Sequence, residues 1–336
     1  MVRIGIIGCG YWGQNLIRDF SEIDNTKLAA CSDLDEGRLA SLKKRLQGVV
    51  ITKNYSDIIN DRSIDAVVIA TPAQGHYKIA KEALAAGKHT FVEKPLTFIL
   101  KEAEELVDLS DKVKRILMVG HTFEFNPAVE KIKDYLKKKE LGDVYYITSR
   151  RLNLGKIRED INAMWNLAPH DISILIYLLE NMPTEVRAWG ASFLQEGIED
   201  LVIVTLTFPG NVIASIQVSW LDPLKVREMV IVGSKKMVVY DDVDNEGKIK
   251  VYDKGADRFA SSQPFGEFQI KLRAGDILIP KLSMHEPLKR ECEHFVKCIM
   301  ENKVPLTDGR NGARVVKVLT AAQESLKNGG KVVKIK

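Results

Sequence analysis

Gly8, Gly10 and Gly13 stand at G-x-G-x-x-G spacing directly after an alternating apolar stretch, 2–7, that reads as a short buried strand. Gly8 permits a tight turn, Gly10 lets the backbone approach a pyrophosphate, and Gly13 lets helix and strand pack closely. The helical stretch that follows, through Phe20, offers unsatisfied N–H groups to phosphate oxygens. A second strand, 27–32, ends at Asp33, twenty residues after Gly13. Asp33 can accept hydrogen bonds from ribose hydroxyls, and its charge would repel a 2′-phosphate, so NAD is expected in preference to NADP. Tyr11 and Trp12, inside the loop, are counted with the cofactor-facing residues. Arg38, five residues beyond Asp33, reads as a surface residue of the next helix.

Two further motifs end strands. Thr71-Pro72 closes the β-branched run 65–71, and Glu93-Lys94-Pro95 closes the strand 89–93. In an open α/β sheet ligands gather at the carboxyl ends of strands, so both motifs are expected in the same crevice as the glycine loop. Thr71, Pro72, His76, Glu93 and Lys94 join the expected cofactor-binding set. Pro95 constrains the chain after Lys94, and the bond before it can be cis. Lys94 can hydrogen-bond a substrate hydroxyl, and its charge favours the alkoxide that develops as a hydride leaves carbon. Glu93 and Lys94 also read as an exposed ion pair; their place at a strand end favours function.

The elements that position these groups follow from periodicity. The first 120 residues alternate strands with helical patterns: helices over 35–46, 75–86 and 98–110, the last with Thr97 as N-cap, and a closing strand over 115–120. That is a parallel, doubly wound sheet. A boundary near His121 separates a dinucleotide-binding domain, 1–121, from a second domain, 122–336. Asn126 and Pro127 suit the N-cap and first position of a helix to about Glu140. Strands are expected over 144–150, 184–191, 201–208, 212–220, 228–232 and 236–240, with a helix over 169–179. Runs of strands without intervening helices argue for a large open, mainly antiparallel sheet in an α+β domain. Residues 242–275 read as hairpins and loops, 285–300 and 312–326 as late helices, and 331–335 as a last strand.

Composition narrows the classes. The chain has 336 residues and 45% apolar content, which suits two packed domains. No apolar run approaches membrane-spanning length, and the start shows no signal-peptide pattern, so a cytoplasmic protein is expected. The net charge is +4, from 49 basic and 45 acidic residues interleaved as on solvated helices, so nucleic-acid binding is not suggested. Cys9, Cys31, Cys292 and Cys298 have no framework spacing and read as reduced thiols. No Cys or His pair has zinc-ligand spacing, and no metal is expected.

The glycine loop, Asp33, Thr71-Pro72 and Glu93-Lys94-Pro95 resemble the glucose–fructose oxidoreductase / inositol dehydrogenase / rhizopine-catabolism (Gfo/Idh/MocA) family, and the resemblance covers essentially the whole chain. It implies a Rossmann domain joined to an α/β domain with a large open sheet. It also implies NAD(P)-dependent oxidation or reduction of sugars, cyclitols or nucleotide-sugars, and dimers or tetramers formed through the open sheets. The family's histidine, usually four residues after an aspartate, matches His170 in Trp165-Asn166-Leu167-Ala168-Pro169-His170-Asp171. Asn166 replaces the aspartate and Ser173 a second one. A neutral Asn166 can position a hydroxyl but cannot be a carboxylate base, so more weight falls on His170 and Lys94. With Pro169 at the first helical position, His170 is expected in the first turn, where the helix dipole disfavours the imidazolium and suits a general base. The expected catalytic set is therefore Lys94, His170 and Asn166, with Lys94 and His170 flanking one nicotinamide.

Specificity falls to the second domain. The stretch 150–165 is rich in Arg, Asn and Lys. Arg151, Lys156, Arg158 and Asn162 can each contact a phosphate or carboxylate or simply lie in a solvated loop. Asn126 suits either a substrate contact or a helix cap. The segment 165–171 is similar to the branch acting on nucleotide-sugars such as UDP-N-acetylglucosaminuronic acid, in polysaccharide assembly. Inositol or a free hexose is the alternative. A catalytically silent NAD-binding sensor and a reductase of non-sugars are the other classes. Retention of Lys94 and His170 argues against the sensor, and the Arg/Asn-rich segment against an apolar substrate.

Overall fold

The computed structural model describes residues 1–155, 157–259, 269–283 and 285–335. Contacts divide the chain into two compact units, one of residues 1–126 with 285–320 and one of 127–284 with 321–336.

The first unit is built on six parallel strands: β1 (Val2–Ile7), β2 (Thr26–Ser32), β3 (Val50–Thr52), β4 (Ala66–Ile69), β5 (His89–Glu93) and β6 (Leu117–Gly120). Their order is β3-β2-β1-β4-β5-β6. The order reverses between β1 and β4, which places the switch point of a doubly wound sheet beyond their carboxyl ends. All four residues of β4 are buried, as a strand covered on both faces requires. The connecting helices are α1 (Tyr11–Glu22), α2 (Glu36–Arg45), α3 (Tyr55–Asn60), α4 (His76–Ala85) and α5 (Leu100–Val113). Asp35 caps α2 by accepting from Arg38 N at 3.0 Å, a favoured cap residue at its usual place. Thr97 does not cap α5 as the sequence suggests. Its hydroxyl donates to the Ile99 carbonyl at 2.8 Å, and the helix begins at Leu100 without a side-chain cap. The short β3 and α3 are too brief to show a period and are not legible in the sequence.

The second unit carries nine strands: β7 (Val144–Leu152), β8 (Glu185–Ala191), β9 (Leu201–Phe208), β10 (Val212–Ser219), β11 (Val226–Gly233), β12 (Met237–Asp241), β13 (Ile249–Phe259), β14 (Gln269–Leu278) and β15 (Val333–Lys334). Their order is β14-β13-β12-β11-β7-β10-β9-β8-β15, with β7 and β10 parallel and the other pairs antiparallel. In β9 the residues alternate strictly, with Val202, Val204, Leu206 and Phe208 buried. Helices α6 (Pro127–Lys137) and α7 (Ala163–Leu179) accompany the sheet, and α7 packs on β10, β9 and β7. The hairpins expected over 242–275 are represented by β13 and β14; residues 260–268 lie outside the described residues.

Helix α7 starts six residues earlier than the sequence suggests. Asn162 is its N-cap, accepting from Trp165 N at 3.1 Å. The Asn162 amide is itself held by Glu199 at 2.7 Å and Gln323 at 3.1 Å. Pro169 therefore lies inside the helix, where it lacks the N–H that would bond the carbonyl of Trp165. At the other end Lys133, buried, donates to the Tyr177 and Leu178 carbonyls at 2.6 and 3.1 Å. A cation on the last carbonyls of a helix satisfies orphan acceptors and complements the dipole.

Two late helices, α8 (Pro287–Glu301) and α9 (Gly309–Lys327), complete the chain. The sequence suggests one boundary near residue 121, but α8 belongs with the first unit. Its Phe295 packs edge-on against Phe20 of α1 at 6.4 Å and Phe91 of β5 at 5.7 Å between ring centroids. Among the described residues, no helix is long and apolar enough to cross a membrane. All four cysteines are buried free thiols.

Candidate active site

In the first unit, β1 ends at Ile7 and the chain turns at Gly8, whose φ of 92° lies in the left-handed region. A Cβ on Gly8 would stand 2.6 Å from the Ala70 carbonyl, and one on Gly13 would stand 2.0 Å from Gly8 O. Both positions therefore exclude a side chain. A Cβ on Gly10 would meet nothing closer than Arg38 Nη1 at 3.7 Å, so space opens above it. No side chain caps α1 behind the loop, which leaves the N–H groups of its first turn for an anion. Tyr11 is 82% exposed and Trp12 42%, their rings meeting edge-on at 5.8 Å. Asp33 accepts from Cys9 N at 2.6 Å and Asp35 N at 2.9 Å, which turns its carboxylate towards the loop. Arg38 is half exposed and lies 3.4 Å from Asp33, nearer than a plain surface residue. Thr71 Oγ1, just past β4, is buried with no hydrogen-bond partner among the described residues. A dinucleotide fits this cradle: the glycines clear its backbone, α1 faces its phosphates, and Asp33 and Thr71 stand at the strand ends on either side.

Glu93 ends β5, and the Lys94–Pro95 peptide that follows is cis. Glu93 is buried and accepts from Lys94 N at 3.3 Å. The bland reading of Glu93-Lys94 as an exposed ion pair is thereby set aside. His76 has a different place from the cofactor-facing one expected of it. Its ring is buried, with Nδ1 2.8 Å from the Pro95 carbonyl and Nε2 3.0 Å from the Thr71 carbonyl. Burial holds the imidazole below its usual titration range. The ring thus ties the two strand-end motifs to each other, with both nitrogens occupied by backbone. Pro72 opens a short 3-10 turn, 73–75, that leads into α4. Asn126 is buried and immediately precedes α6.

In the second unit, His170 is the eighth residue of α7. The expected place in the first turn is corrected, and with it the helix-dipole argument, because that field fades beyond the first turn. Nδ1 of His170 is buried. One turn earlier, Asn166 Oδ1 accepts from the indole Nε1 of Trp220 at 3.1 Å. An indole only donates, so this contact fixes which end of the amide faces Trp220. Asp171 does not join His170. It is buried and takes Arg151 in a two-point pair, Nε to Oδ2 at 2.9 Å and Nη2 to Oδ1 at 3.2 Å, plus the Ser149 hydroxyl at 2.8 Å.

Arg151 is therefore held by Asp171 inside the unit instead of standing in a solvated loop. Arg158 makes a two-point pair with Asp160 at 2.8 and 2.7 Å. Asn162 is the cap of α7. Partners within the second unit thus engage all three side chains; Lys156 lies outside the described residues. The buried pair carries a stability prediction. Arg151→Leu or Asp171→Leu alone should destabilise the protein by about 3–5 kcal/mol, because each strands the opposite charge. The double replacement should cost clearly less than the sum of the two. Denaturant unfolding of the three variants checks this.

Three buried polar groups of the first unit are absent from the expected site. Glu124 and Glu291 are fully buried, and His121 nearly so. Only Glu291 leaves a trace in the sequence: it falls on the buried stripe of α8, with Leu288, Cys292, Phe295 and Val296. A glutamate in an apolar stripe at helical spacing is the signal.

A six-stranded parallel sheet of this order, with a glycine loop before an uncapped helix, defines a dinucleotide-binding protein. Residues 2–121 match the family model described as "Oxidoreductase family, NAD-binding Rossmann fold", and residues 129–239 match the "GFO/IDH/MocA C-terminal domain". The chain belongs to the Gfo/Idh/MocA oxidoreductase family, and its first unit is an NAD-binding Rossmann domain.

Among its relatives, the uncharacterized oxidoreductase YrbE of Bacillus subtilis is 29% identical, over 97% of this chain and 94% of that one. The myo-inositol 2-dehydrogenase of Thermotoga maritima is 26% identical, over 97% and 96%. The UDP-N-acetylglucosamine 3-dehydrogenase of Acidithiobacillus ferrooxidans is 26% identical, over 94% of each chain. A solved structure of that enzyme superposes with a TM-score of 0.80 at 25% identity, covering 97% of both chains.

Proposed function

We propose that this protein is an NAD-dependent dehydrogenase of a secondary alcohol on a sugar, working equally in reverse on the ketone. The observation that carries the reading is Lys94 at the carboxyl end of β5, in the same unit as the glycine cradle. Bound NAD would supply the hydride acceptor for the carbinol carbon, and NADH the donor in the reverse direction. The chain's residues handle the rest. His170 takes the hydroxyl proton on Nε2, since Nδ1 is buried. The Lys94 ammonium opposes the charge that develops on the alcohol oxygen. Asn166, aimed by Trp220, orients the substrate without taking a proton. Gly8, Gly10, Gly13, Asp33 and Thr71 hold the cofactor, with Asp33 favouring NAD over NADP.

The substrate class rests on relatives. A UDP-N-acetylhexosamine or its uronate is the first reading, supported by the whole-length likeness to a UDP-N-acetylglucosamine 3-dehydrogenase. Inositol is the second, supported by a likeness of the same extent to a myo-inositol 2-dehydrogenase. The experiment is a panel of UDP-sugars and cyclitols with NAD, read by NADH absorbance and by native mass spectrometry. NADH formed with a UDP-sugar supports the first reading. Turnover of inositol alone replaces it with the second, and a bound cofactor with no turnover of any member ends the dehydrogenase account.

A further inference from the structure

Buried polar side chains from the end of β5, from the chain just after β6 and from α8 gather inside the first unit. Glu93 is the first. Its carboxyl stands over Gly120, where an added Cβ would come within 3.1 Å of Oε2, closer than ordinary van der Waals contact. Oε2 takes the Lys94 N–H, and Oε1 is buried with no hydrogen-bond partner among the described residues. Glu291, from α8, is the second. Its Oε2 accepts from the Thr122 hydroxyl at 2.6 Å, and its Oε1 is likewise buried without a partner. His121, the residue after β6, has both ring nitrogens buried and unpartnered. Glu124 takes the Asn311 amide at 3.1 Å. Most buried polar atoms in folded proteins are paired, and a cluster of unpaired ones calls for a functional explanation. A metal site is not the explanation: among the described residues no group of His, Cys, Asp or Glu could hold an ion.

We propose that Glu93 and Glu291 act as one buried carboxyl pair that carries a single negative charge, the counter-charge to the Lys94 ammonium, with Glu291 as a positioning residue. This rests on the role given to Lys94 above. The charges around each carboxyl decide where the proton sits. Burial raises Glu93, and Lys94, by its charge and its N–H, limits the rise to about 7. Burial raises Glu291 most, and the charges of Glu93 on β5 and Glu124 on the turn at 122–125 raise it further. Its other close groups are the Thr122 hydroxyl and Cys292 on its own helix. His121 is held neutral, pushed to about 3 by burial and then by Lys94. The carboxylate therefore belongs to Glu93 and the proton to Glu291. Two like charges in one dry site would otherwise repel each other and leave one unbalanced.

The test uses the full chain. Carboxyl infrared spectra at neutral pH should show a protonated carboxyl in the wild type that is missing in Glu291→Gln. An unchanged carboxyl signal in that variant would mean Glu291 is ionised, and would overturn the proposal. The pH profile of kcat, taken with whichever panel substrate is turned over, provides the second readout. Glu291→Leu should lower kcat about tenfold and shift the alkaline limb, and Glu291→Gln should restore both, because amide and protonated acid are alike in charge and shape. A Leu variant that folds yet keeps the wild-type profile would also overturn it. If Lys94→Ala retains turnover while the infrared difference stands, the role of Lys94 has failed and the shared proton has not.

Discussion

Replacing His170 by alanine should lower kcat by roughly 10²–10⁴-fold, the range lost when a positioned general base is removed. The substitution is benign for the fold. His170 is only half-buried within α7, while the apolar positions around it, Ala168, Ile172 and Ile174, carry the packing. Alanine is also the best helix former. The effect should therefore appear in kcat at nearly unchanged thermal stability. NAD affinity is the quantity to compare with it. Steady-state kinetics with NAD titrated at saturating alcohol separates these quantities. Wild-type turnover in the alanine variant would remove His170 from the mechanism, and Asn166 offers no replacement base, since an amide does not accept a proton near neutral pH.

Lys94→Ala should cost about 10²–10³-fold in kcat, the loss expected when one fixed donor to a developing oxyanion is deleted. The variant also removes the cation beside Glu93. That carboxyl should then titrate higher still, since burial already raises it and Lys94 is the charge that opposes the rise. Lys94→Arg should recover little, because a planar, longer guanidinium cannot occupy the place of a compact ammonium. The double variant with His170→Ala should lose far less than the product of the two single losses if both act on one step. Strict multiplication of the two effects would assign them to separate steps.

The glycine turn and the acid that follows it were legible because their requirements are local. A left-handed turn at Gly8 and a close approach at Gly13 force glycine at fixed spacing, and Asp33 stands at the end of the very next strand. The strand-end position of Lys94 followed from the same reasoning. The second unit was harder to read for a physical reason. Pro169 suggests a helix start, but capping is decided by side-chain partners distant in sequence. Glu199 and Gln323 hold Asn162, and the helix begins there. Arg151 looked available because Asp171, twenty residues away, gives no sign of turning inward. The cap and the ion pair both form at long range, which periodicity cannot report.

The packing of α8 on Phe20 and Phe91 bears on how the molecule is made. During synthesis, residues 1–126 leave the ribosome long before 285–320. Until that late stretch arrives, the nascent Rossmann layer has an uncovered apolar side, where Phe20 and Phe91 await Phe295. The intervening 127–284 must be threaded as an excursion from a half-finished partner. Ribosome-bound chains halted before residue 285 should therefore be protease-sensitive throughout the early segment, and become resistant once α8 has emerged.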